Sequence, residues 1–60
     1  MGGWYYLHIR EGDIWYTVGG KWSRRLSEAQ EYPDLRSAQE ARDKIPSRYA
    51  ISIFRIVVEG

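Results

Sequence analysis

Sixty residues with a net charge of +1, three Trp, five Tyr, one Phe and no Cys make one domain, residues 1–60, and exclude disulfides and thiolate metal sites. A chain this short buries only ~60% of the surface that its unfolded form exposes. Its core therefore depends on those aromatic rings or on self-association.

The first elements read as a hairpin. Trp4–Arg10 and Ile14–Val18 are rich in aromatic and β-branched residues, with Gly12-Asp13 between them. A two-residue loop with Gly first fits a type II′ turn and pairs Glu11 with Ile14, Ile9 with Tyr16 and Leu7 with Val18. One face then carries Tyr5, Leu7, Ile9, Ile14, Tyr16 and Val18, wholly apolar or aromatic, as a core face should be. The other carries Trp4, Tyr6, His8, Arg10, Trp15 and Thr17, with Arg10 opposite Trp15 at cation–π distance.

Gly19-Gly20 ends the second strand, and Lys21–Leu26 reads as an irregular link anchored by Trp22. Ala29–Tyr32 reads as a short third strand. Asp34 then caps a helix that places Leu35, Ala38, Ala41 and Ile45 on one stripe and ends at Pro46. Ser37-Ala38-Gln39-Glu40 spells a capping box that would start the helix three residues later, but Asp34 keeps Leu35 on the buried stripe. Ala50–Val58 is the most strand-like segment. Ile51, Ile53, Arg55 and Val57 point one way, and Ser52, Phe54, Ile56 and Val58 the other. Two apolar faces belong to a strand in the interior of a sheet. One helix covers one face, so apolar surface remains for a second copy or a protein partner. The fold class expected is α+β, a small antiparallel sheet with one helix in the order ββ(β)αβ.

Divided along the chain, the charge is +2 over residues 1–25, −2 over 26–46 and +1 over 47–60. A mildly basic hairpin end suits an acidic partner or nucleic acid, though it falls short of a dedicated nucleic-acid footprint. No apolar run approaches the ~20 residues that span a bilayer, and the first residues lack a secretory pattern, so the cytoplasm is the expected compartment.

Catalysis is not expected. His8 is the one general-base candidate near neutrality, and the expected register gives it Tyr6, Arg10 and Thr17 as neighbours, with no carboxylate to orient it. Glu11 with Asp13 and Glu28 with Glu31 fall in turns or edges, where carboxylates are ordinarily solvated. Gly19-Gly20-Lys21 lacks the spacing and following helix of a phosphate loop. No metal ligands or cofactor site are expected, and a lone histidine cannot build a zinc site. The feature with functional character is the outward face of the hairpin: Trp4, Tyr6, His8, Arg10 and Trp15, with Lys21, Trp22, Arg24 and Arg25 at one end. Trp, Tyr and Arg dominate interface hot spots, and rings mixed with cations also suit single-stranded nucleic acid or a small nucleotide. The competing reading is that these rings are themselves core, since few other residues can supply burial.

The whole pattern resembles a loose group of very short phage- and prophage-type proteins of undefined role. It is carried by W-S-R-R-L-S-E-A-Q-E-Y from Trp22 to Tyr32, by D-L-R-S-A-Q-E-A from Asp34 to Ala41, and by the closing I-S-I-F-R-I-V-V-E. The resemblance implies the same ββ(β)αβ fold and an accessory role, and brings no catalytic residues. Y-T-V-G-G-K-W-S-R-R-L-S-E-A from Tyr16 to Ala29 is similar, more weakly, to three-stranded AP2-like and integrase arm-binding domains, from which the long last strand departs. The leading expectation is a non-catalytic protein-binding module, such as a phage-encoded inhibitor of a host or defence protein. Nucleic-acid binding through Arg10, Lys21, Arg24 and Arg25 is the second, and nucleotide sequestration between rings the third.

Overall fold

A computed structural model describes residues 3–57. Four strands, β1 (Gly3–Ile9), β2 (Ile14–Tyr16), β3 (Trp22–Ser23) and β4 (Ser52–Val57), form one antiparallel sheet in the order β3-β2-β1-β4. Among the described residues one α-helix, α1 (Leu35–Lys44), precedes β4, and a single 3-10 turn spans Leu26–Glu28, so the chain is a small α+β fold. Among the described residues no helix is long and apolar enough to cross a membrane.

The hairpin forms with a longer loop than expected. Ile9 pairs with Ile14 and His8 with Trp15, so Arg10–Asp13 make a four-residue turn closed by the Asp13 N–H donating to the Arg10 carbonyl at 3.2 Å. Gly12 (φ 109°) and Asp13 (φ 52°) both take left-handed backbone, which glycine accepts freely and aspartate tolerates. The expected Glu11–Ile14, Ile9–Tyr16 and Leu7–Val18 pairs are replaced by a register two residues away. A slip of two preserves side-chain parity, so the division into two faces survives.

The third strand lies elsewhere than expected. Trp22-Ser23, read as an irregular link, pairs with Tyr16 and Trp15 as β3. Ala29–Tyr32 instead wedges between β2 and β1, making single bridges from Ala29 to Thr17 and from Tyr32 to Tyr5. Tyr5 and Tyr32 exchange two backbone hydrogen bonds of 2.9 Å, and the Gln30 N–H donates to the Tyr16 carbonyl at 2.8 Å. Because this wedge takes the place opposite Tyr5, β2 ends at Tyr16. Val18, expected on the core face, stands 75% exposed.

The helix starts where Asp34 places it: the Asp34 carboxylate accepts from the Ser37 N–H at 2.7 Å. This bond, and the Ser37 hydroxyl beside it, hold the Asp34 carboxyl below its ordinary value. Ile45 closes the helix one residue before Pro46. Leu35 does not join the buried stripe and is 45% exposed. At about 100° per residue it lies about 60° round the axis from Ala38 and about 120° from Ala41, on the rim of the stripe.

The helix packs on β1. It covers the side that carries Leu7 and Ile9, because Leu7 and Ala38 have no exposed surface, whereas Trp4 and Phe54 on the other side remain 37% and 44% exposed. The alanine lets the helix axis approach the sheet. On the covered side, Arg55 sits over the ring of its cross-strand partner Tyr5, 5.9 Å from the centroid. The last strand, expected in the sheet interior, is an edge. β1 has two flanks, and once the hairpin and the wedge occupy one, the chain returning from α1 pairs along the other from Gly3–Val57 to His8–Ser52. Val58 lies outside the described residues.

Candidate functional site

The uncovered side of the sheet is built from β1, β2 and β4. Register places Trp4, Tyr6 and His8 beside Ile56, Phe54 and Ser52 on one flank, and His8 beside Trp15 on the other. His8 sits at the centre. Its ring lies 4.3 Å from Trp15 and 4.9 Å from Phe54 between centroids, and Trp15 meets Phe54 edge-on at 5.5 Å. Tyr6 extends the cluster, edge-on to Trp15 at 6.0 Å. Such tilted and T-shaped contacts set the positive edge of one ring against the negative face of another.

His8 is only 7% exposed, and its imidazole Nε2 lies 2.7 Å from an Asp13 carboxylate oxygen. The expectation that no carboxylate orients His8 is thereby corrected. The shifted register and the left-handed backbone at Asp13 bring the turn back over the strand. Its Nδ1 is buried without a hydrogen-bond partner. Among the described residues no three His, Cys, Asp or Glu side chains gather as metal ligands.

Tyr6 links the cluster to the wedge. Its ring is buried while its hydroxyl reaches the rim and donates to Glu31 at 3.1 Å. Burial, then the hydrogen bond and the negative charge of Glu31, push the phenol above its ordinary value. Beyond it runs an open groove of about 670 Å³, lined by Tyr6, Val18, Leu26, Ser27, Glu28, Ala29 and Glu31. Glu28 is engaged there by the Ser23 hydroxyl, which donates to it at 2.6 Å.

The nine residues expected to form one surface are divided. Trp4, Tyr6, His8 and Trp15 come together. Arg10 leaves the strand for the exposed turn, so its expected cation–π contact with Trp15 gives way to the His8–Trp15 pair. Trp22 pairs with Tyr16, ring to ring at 5.2 Å, on the side opposite the cluster. Lys21 lies at the β2–β3 turn, where it bonds Thr17, while Arg24 and Arg25 follow β3 near the other end of β2. Arg10, Arg24 and Arg25 thus lie toward the β1–β2 turn, and Lys21 alone toward the β2–β3 turn. The residue that sequence reasoning left out is Phe54, and its signal was present: it alternates onto the same face as Ile56 in a strand that must pair somewhere. Of the expected rings, Tyr6 and His8 are buried, as the core reading has it, while Trp4 is 37% exposed. No family model, no curated protein and no solved structure matches this chain.

Proposed function

We propose that this chain is a non-catalytic protein-binding module whose docking surface is the aromatic side of the sheet, around Trp4, Trp15 and Phe54. The observation that supports this is the incomplete cover: one helix shields one side, and the other presents half-exposed rings on a buried His8–Tyr6 base. Rigid rings over a packed floor are what interface hot spots require, because little side-chain entropy remains to be lost. The similarity to short phage-type proteins fits an accessory role, such as inhibition of a host or defence protein in the cytoplasm. Nucleic-acid binding draws less support, because Trp22 lies on the side opposite the other rings and Lys21 at the far end of β2 from Arg10, Arg24 and Arg25.

The test is capture by the wild-type chain compared with a Trp4→Ser variant, followed by reconstitution with each purified candidate. A partner held at least about tenfold more tightly by the wild type is expected, as for loss of one hot-spot side chain. If the two chains bind every candidate equally, the aromatic side is not a docking surface and the reading is withdrawn.

A further inference from the structure

The two edges of the sheet are unlike. β3 is two residues long, and a short edge offers little to pair with. β4 runs unbroken for six residues against β1, with no proline, lysine or bulge, and it bears one charge, Arg55. Those omissions are the usual guards of an exposed edge.

The backbone shows which groups on that edge are open. Tyr5 exchanges its N–H and C=O with Tyr32, on the flank away from β4. In an antiparallel ladder these directions alternate along the strand. Trp4, Tyr6 and His8 therefore turn theirs toward Ile56, Phe54 and Ser52, and Ile53, Arg55 and Val57 direct theirs away from the sheet.

We infer that β4 pairs antiparallel with β4 of a second copy, about a two-fold axis beside Phe54, joining two sheets into one of eight strands. Three conditions select this register. A two-fold perpendicular to the sheet keeps each side chain on its own face, so even residues meet even and odd meet odd. The open groups belong to odd residues, so odd pairs must be the hydrogen-bonded ones. Arg55 must not face its own copy, since like charges directly opposite are destabilising. Pairing Phe54 with Phe54 of the second copy meets all three. It sets Ile53 against Arg55 and Ile51 against Val57, and the aliphatic stem of Arg55 lies along Ile53. Shifting the centre to residue 55 opposes the arginines, and shifting it to residue 53 shortens the ladder. The two exposed Phe54 rings then meet in a closely spaced pair on the aromatic side. The ladder is ~24 Å long and one strand wide, a narrow contact that should dissociate on dilution. This inference concerns the edge and stands independently of any partner on the aromatic side.

Sedimentation of the purified chain tests it without reference to any partner. A species of twice 7.1 kDa is expected at concentrations on the order of tens of micromolar. Synthesis with an N-methyl group on the Arg55 amide blocks two symmetry-related hydrogen bonds while leaving the β1 ladder intact, and should weaken dimerisation by about ten- to thirtyfold. Register is read by cross-linking. Phe54→Cys should oxidise to a covalent dimer, because closely spaced pairs fall within disulfide reach, whereas Arg55→Cys should not, its copies lying beyond the ~7 Å limit. Circular dichroism checks that each variant is folded. A monomer at millimolar concentration overturns the inference. So does undiminished association of the N-methylated chain, or preferential cross-linking at residue 55.

Discussion

β1 and β4 are neighbours with nearly the same apolar content and opposite fates. Tyr6, Leu7, His8 and Ile9 in β1 are all buried, while no described residue of β4 is, and Phe54 and Val57 stand well exposed. The difference lies in what flanks them. β1 has β4 on one side and the hairpin and wedge on the other, with α1 above it. β4 has only β1. Burial in so small a sheet follows the number of neighbours a strand has rather than the hydrophobicity of its sequence.

Substitutions that pit one strand against the other test this directly, on protein dilute enough to be monomeric. The largest effect belongs to Leu7→Ala, which removes a fully buried side chain at a cost of about 3 kcal/mol. A chain of this size has only about 3–9 kcal/mol in total, so chemical denaturation should show a third or more of the stability lost and the midpoint lowered in proportion. His8→Ala comes next at about 2 kcal/mol, through the lost contacts with Trp15 and Phe54. His8→Phe should be close to neutral, because it keeps the ring and removes the unpartnered Nδ1. A large loss in the phenylalanine variant would mean that the His8–Asp13 bond, and not ring packing, holds the centre of the face.

On β4, Phe54→Ala should cost only about 1 kcal/mol, since much of the ring is already in water. A cost equal to that of Leu7→Ala would break the comparison between interior and edge. At neutral pH Tyr6→Phe should also cost about 1 kcal/mol, for the bond to Glu31, and it carries a pH signature. The folded-state phenol titrates above its ordinary value of 10.0, so the folded protein holds its proton where the unfolded chain has lost it. The stabilisation is complete below that value and is lost as pH rises through the higher folded-state one. Urea midpoints at about pH 9 and pH 11 should therefore converge between wild type and Tyr6→Phe at the higher pH.

Much of the architecture was legible. The hairpin follows from Gly12-Asp13 between two aromatic strands, and the helix boundaries follow from Asp34 and Pro46. The separation of Leu7 and Ile9 from Tyr6 and His8 follows from the alternation of side chains. The loop length was not legible, because Gly12-Asp13 fits a two-residue turn and a four-residue turn equally well. That ambiguity is what hid the Asp13–His8 contact and moved Arg10 off the face. Nor could the third strand be placed, since Trp22-Ser23 and Ala29–Tyr32 are both short and each is held by pairing with residues distant in the chain.

The sequence by itself determined the first two strands, the helix and the last strand, the absence of disulfides and the division of β1 and β2 into an apolar and a mixed face. Those follow from local propensity and from a period of two, and both survive a register slip of two residues. Only the tertiary structure decided that β4 is an edge, that Trp22 and Trp15 lie on opposite sides, and that Phe54 joins His8. Each of these depends on which strand lies beside which, a choice made by competition for the two flanks of β1, which no local pattern encodes.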